Sequence, residues 1–102
     1  MAAKKVKSPR KLERHFKGVA NHRRIQILQL IARNPDINVD DISLETAANM
    51  KTIAEHTRRL VLAGLVEKHY AGRKVRHRLT PYGRVFFDFI ETFSHSQESE
   101  SI

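Results

Sequence analysis

Apolar positions along the chain follow a helical period, switch to alternation, and then return to the helical period. In "KTIAEHTRRLVLAGLV", residues 51 to 66, Ile53, Thr57, Leu60 and Gly64 recur four, three and four residues apart, the spacing of one face of an α-helix. The opposite face then carries Lys51, Thr52, Glu55, Arg58 and Arg59. Upstream, "KLERHFKGVA" from Lys11 predicts a first helix with Leu12, His15, Phe16 and Val19 on one side. "NHRRIQILQLIAR" predicts a second, with Asn21 suited to cap it and a stripe of Ile25, Leu28 and Ala32 flanked by Ile27, Leu30 and Ile31. "NPD" at 34 to 36 ends it. A third helix lies within "VDDISLETAANM", with Ile42, Leu44, Ala47 and Ala48 as its narrow face and Asn38, Asp40 or Ser43 as its cap.

After Gly64 the period becomes two. Val66 and Tyr70 fall on one side of a strand, and Val75, His77 and Leu79 on one side of the next, with "AGR" as the turn. Lys74, Arg76 and Arg78 occupy the second strand's other face. Thr80 then caps a last helix whose first position is Pro81, where a missing N–H does no harm. Its stripe is Val85, Phe86, Phe89, Ile90 and Phe93, with Phe87 outside. The expected fold is mainly α with a small β-hairpin, in the order α-α-α-α-β-β-α. Its expected layout is a basic flexible tail over residues 1–10, one domain over 11–94 and an acidic, polar tail over 95–102.

Charge narrows the function. The chain of 102 residues has a formal net charge of +8, and two blocks supply it. Residues 1–24 hold nine basic side chains against one acidic, and residues 51–84 nine against two. A polyanion such as nucleic acid, or an anionic membrane surface, is the implied partner. With no cysteine in the sequence, disulfides, thiolate metal sites and a Cys nucleophile are excluded, and a reducing, cytoplasmic setting is expected. No apolar run approaches the roughly 18 residues a membrane span needs, and no leader pattern follows the N-terminal basic residues. The sequence holds no phosphate-cradling glycine loop, no nucleophile elbow and no paired carboxylates, so an enzyme is not expected.

Three segments together resemble a known group, the ArsR-type and MarR-type transcriptional repressors. They are "NHRRIQILQLI", "AANMKTIAEHTRRLVLAGLVEKHYAGRKVRHRLT" and "LTPYGRVFFDFI". The resemblance covers roughly residues 12 to 93 and departs from the group at Ala48, Asn49 and Met50. It implies a winged helix-turn-helix that binds double-stranded DNA, with a recognition helix at about 51–63 in the major groove and a wing at 65–79 on the backbone or minor groove. It further implies that Lys51, Thr52, Glu55 and Arg59 read base edges, and that His56 and Arg58 reach phosphates. Glu55 has a second available role, orienting Arg58 or Arg59 one turn on. Arg73 and Lys74 at the hairpin tip, with Arg76 and Arg78 behind, would add salt-sensitive backbone contacts. The rival reading of the same fold is a protein-interaction or RNA-binding module without operator recognition.

One helix and one wing cover half an operator. Apolar residues span about half the circumference of the last helix once Phe87 is counted, more than one packing face requires. A homodimer formed through Leu12, Phe16, Phe86, Phe87, Ile90 and Phe93 would bury them. No cofactor is expected. Asp88, Glu91, His95 and Glu98 share a helical face, but Tyr82 and Arg84 stand where the group's last-helix zinc motif has its other ligands. A solvated acidic helix end is therefore expected there rather than a metal site.

Overall fold

The computed structural model describes residues 6–96. The chain runs through helices α1 (Pro9–Val19), α2 (His22–Arg33), α3 (Val39–Thr46) and α4 (Met50–Leu62). Strands β1 (Val66–Ala71) and β2 (Lys74–Leu79) follow, and then helix α5 (Pro81–Ser94). This is the expected order. Most of the two expected tails, residues 1–5 and 97–102, lies outside the described residues.

Each α-helix begins at a side chain that accepts from its orphan N–H groups. Asn21 accepts from Arg23 and Arg24, Asn38 from Asp41, Asn49 from Thr52, and Thr80 from Gly83. The first helix starts two residues before the expected Lys11. Ser8 caps it and Pro9 occupies its first position, where the missing donor costs nothing.

The core forms where α2 meets the other elements. Ile27, Leu28 and Ile31 of α2, Ile42 of α3, Ile53 and Leu60 of α4, and Leu65 and Val66 before and in β1 are all at most 2% exposed. Full burial of each aliphatic side chain contributes about 1.5 to 3 kcal/mol relative to exposure. On α2 the buried face is therefore centred on Ile27, Leu28 and Ile31. Ile25 and Ala32, expected at the centre of the stripe, lie at its edges.

The third helix differs more. Ala47 adopts a left-handed backbone (φ 55°) and terminates α3 after Thr46, so residues 47–49 form the turn into α4 and do not continue a helical face. Leu44, expected on that face, is 80% exposed. Ser43 Oγ donates to the Ala48 carbonyl and ties the turn down.

The hairpin pairs Val66 with Leu79 through to Ala71 with Lys74, leaving Gly72 and Arg73 as a two-residue turn. Gly72 takes φ 63°, which a side chain would strain. Val66 and His77 are buried as expected, whereas Tyr70 is exposed because the strands extend beyond the core. Ile37 adds a one-residue bridge on the other side of β2: the His77 N–H donates to the Ile37 carbonyl at 3.1 Å. A single bridging residue has no sequence period, so nothing in the chain announced it.

Candidate nucleic-acid interface

Helix α4 divides cleanly. Ile53, Thr57 and Leu60 are buried, while Lys51, Thr52, Glu55, Arg58 and Arg59 are exposed on its far side. Glu55 organises that face. Its carboxylate accepts from Arg58 Nε (2.9 Å) and Nη2 (2.7 Å), and from Arg59 Nε (3.1 Å). The hydrogen bond from Arg58, then that from Arg59, holds the Glu55 carboxyl down to about 2. Glu55 is thus ionised at neutral pH, and both guanidinium groups keep further N–H donors free for a ligand. Of its two possible roles, the free protein displays the orienting one.

His56 lies elsewhere. It turns toward α2, partly buried, with Nδ1 3.5 Å from Arg24 Nη1. Burial, followed by the charges of Arg24 and Arg23, pushes its pKa below the usual histidine value, so the ring is neutral at pH 7 and offers no charge to a phosphate.

On the hairpin, Arg73, Lys74 and Arg76 are exposed. Arg78 is exposed too but engaged: Nε and Nη2 donate to the two carboxylate oxygens of Asp36 at 2.6 and 3.1 Å. This fork holds the Asp36 carboxyl below its ordinary range and braces β2 against the loop after α2. Arg78 therefore stands apart from the free cations at the tip.

Two residues outside the expected set position α4 from its other end. Arg14 Nη2 donates to the Leu62 carbonyl (2.8 Å), and His15 Nδ1 lies 2.6 Å from the Ala63 carbonyl. Side chains of α1 thus satisfy the last carbonyls of the α4 helix, which its own backbone leaves unpaired. His15 carried a legible signal, since it falls on the core-facing side of α1. Arg14 carried none.

The apolar surface that the last helix leaves uncovered is displaced from the expected one. Leu12, Phe16, Tyr82, Val85, Phe89 and Phe93 are each between 41% and 64% exposed. Leu12, Phe16, Val85, Phe86 and Phe89 line a hollow of about 270 Å³, with Phe86 set edge-on to Phe16 at 5.1 Å. Phe86 and Ile90 pack partly against the core. Phe87 is partly buried and sits beneath the guanidinium groups of Arg33 and Arg84, 5.8 and 5.4 Å from its ring centre. At the end of α5, Glu91 pairs with Arg33 and lies 3.7 Å from His95. No group of three or more potential ligands suited to a metal occurs among the described residues, and Glu98 lies outside them.

A capped helix pair, α3 and α4, is thus followed by an antiparallel hairpin with a cationic tip. This is a winged helix-turn-helix. A family model described as "Winged helix-turn-helix DNA-binding" matches residues 21–67, from the cap of α2 into the first strand of the wing. Among solved structures, reduced HlyU from Vibrio cholerae is similar at 22% identity and TM-score 0.76, over 85% of this chain and 92% of that one. A homodimeric winged helix-turn-helix DNA-binding domain from Mycobacterium bovis, described as a possible ArsR-family transcriptional regulator, is similar at 25% identity and TM-score 0.75, over 90% and 97%. FabT from Streptococcus pneumoniae in complex with DNA is similar at 17% identity and TM-score 0.68, over 81% and 64%. No curated protein sequence matches this one. The winged-helix resemblance read from the sequence is borne out. No described helix is long and apolar enough to cross a membrane.

Proposed function

We propose that this winged helix is a sequence-specific, double-stranded-DNA-binding transcriptional repressor that acts in the cytoplasm as a homodimer. The observation that carries the proposal is the outward face of α4. Lys51, Thr52, Arg58 and Arg59 stand exposed on a rigid, capped helix, with both arginines aimed by Glu55 and the cationic wing tip in the same domain. In this role α4 enters the major groove, where the four base pairs differ in their donor and acceptor pattern. Lys51, Thr52, Glu55 and Arg59 face base edges, and each good paired contact discriminates by about 1 to 3 kcal/mol. Arg58, Arg73, Lys74 and Arg76 neutralise phosphates. His56 and Arg78 belong to the supporting scaffold. The dimer forms through α1 and α5, places two reading helices on a palindromic site, and represses by occupying a promoter.

Binding measured on duplexes at rising salt tests the reading. Affinity should fall steeply, because releasing the same counterions into more concentrated salt gains less free energy. Arg59→Ala and Thr52→Ala should alter which sequences are preferred, whereas Arg73→Ala and Lys74→Ala should weaken all duplexes alike and each reduce the salt slope by about one. Preference for single-stranded RNA over duplex, or equal losses on every sequence for all four variants, would discard the operator-reading model in favour of an RNA-binding or protein-interaction module.

A further inference from the structure

The crevice between α1 and the C-terminal half of α4, about 390 Å³, gathers one arginine of the reading face together with four cations that face does not account for. Arg10, Arg14 and Lys17 of α1, Arg24 of α2 and Arg59 of α4 line it, with Glu13 as the one carboxylate. Little neutralises them from within. Glu13 sits 3.5 Å from Lys17, and both side chains are largely exposed, so that pair is weak in water. Arg14 spends one nitrogen on the Leu62 carbonyl. Arg24 is the least satisfied: its Nε is buried without a partner, and its other contacts, to the Lys17 carbonyl and His56 Nδ1, are long at 3.4 and 3.5 Å. Its two terminal nitrogens, held only by those long contacts, are the donors that an anion in the crevice could engage more strongly. The same positive surroundings help keep His56 neutral. Gly18 forms part of the wall because any Cβ there would lie 2.1 Å from Ala63 Cβ, so α1 and α4 stay close enough for cations on both to converge.

We propose that this crevice is a phosphate-binding site. Several guanidinium groups with N–H donors still free match a phosphate's multiple acceptor oxygens, which one carboxylate does not. The phosphate has two chemical sources: the backbone of a duplex running past α4, or a free phosphorylated small molecule. In either case Arg59 is shared between the crevice and the reading face, so occupancy competes with Glu55 for it and alters DNA recognition. The DNA source rests on the proposed function; the binding of a free phosphate does not.

The test has two arms and one variant, Arg10→Glu with Lys17→Glu. Neither side chain is buried, and circular dichroism checks that the variant folds, with Arg10→Ala as the milder alternative. In the first arm, thermal unfolding of the free protein is followed with inorganic pyrophosphate against sodium chloride of equal ionic strength. At roughly ten times the dissociation constant, pyrophosphate should raise the wild-type Tm by about 7 °C and leave the variant unmoved. In the second arm, salt slopes are measured on duplexes of increasing length. If a DNA phosphate fills the site, the variant should lose about one to two units of slope on long duplexes and none on a duplex cut to the α4 footprint. The same charge reversals at Lys7 and Arg84, which lie over the Tyr82 and Phe87 rings, control for net charge. A response in the first arm alone identifies a free phosphate as the occupant, and one in the second alone a DNA phosphate. No difference between the variant and wild type in the first arm, together with no difference from the control reversals in the second, overturns the proposal. Should the protein bind no duplex at all, the first arm still decides.

Discussion

His77 is the residue whose chemistry is most constrained. Fully buried on β2, it donates from Nδ1 to the Ile37 carbonyl at 2.9 Å, and its Nε2 has no partner. Burial pushes its pKa below the usual histidine value, so the folded protein binds fewer protons at this ring than the unfolded chain does. Stability is then complete above about pH 6.5, the unfolded value, and is lost as pH falls from there toward the depressed folded value. His56, lowered for a similar reason, acts in the same direction. Thermal unfolding between pH 7.5 and 5 should show a falling Tm, and His77→Gln should flatten most of that slope while lowering stability at every pH. Glu55 does not titrate in this window. Its carboxyl, at about 2, stays ionised across this range, so sequence preference on DNA should not change between pH 5 and 8. Glu55→Gln should relax that preference and raise affinity for all duplexes, because Arg58 and Arg59 are then released toward phosphates. Competition binding against random duplex measures both effects.

Among the elements, α5 is positioned by backbone contact more than by its aromatic stripe. The Thr80 N–H donates to the Leu65 carbonyl (3.1 Å), and Thr80 Oγ1 donates to the Gly64 carbonyl (2.6 Å). A Cβ at Gly83 would lie 1.9 Å from the Leu65 carbonyl oxygen and 2.9 Å from its carbon. Since backbone cannot swing aside as a flexible side chain can, Gly83→Ala should cost about 3 kcal/mol or more in urea unfolding. Asn49→Ala removes the cap of α4 and should cost about 1 kcal/mol, with fraying at the end that carries Lys51 and Thr52. Hydrogen exchange at the first turn of α4 would register it. These boundaries were largely legible. Asn21 and Thr80 each precede a helical period and were read as caps, whereas Asn49 fell within the stretch assigned to α3, whose end was hidden because Ala47 adopts its left-handed turn without the glycine that usually marks one.

For the whole molecule, the uncovered face of α1 and α5 sets the expected oligomer. Six large apolar side chains exposed between 41% and 64% form a surface of the kind monomers seldom leave to water. Phe89→Glu and Phe93→Glu should convert a dimer to a folded monomer and weaken a two-half-site operator more than a half-site. Phe86, which packs partly on the core, should instead destabilise the fold when changed to Glu. Sedimentation at micromolar concentration checks the dimer itself, and a wild type that stays near 12 kDa without associating would overturn it.

The order of elements, the two faces of α4 and the cationic wing tip were determined by the sequence alone. Helical and alternating periods are local properties, carried by residues three, four or two apart, and caps are read from one side chain beside the first turn. Contacts between distant residues were decided only by the tertiary structure. Arg78 was expected to face DNA but engages Asp36, 42 residues away; His15 and Arg14 reach α4 across 48 residues. The aromatic stripe of α5 met the same limit. Its period shows that Val85, Phe86, Phe89, Ile90 and Phe93 lie together, but one helix has more apolar circumference than one core can cover. Which part turned inward depended on where α1, α2 and Leu65 came to rest, and the chain's local pattern holds no record of that.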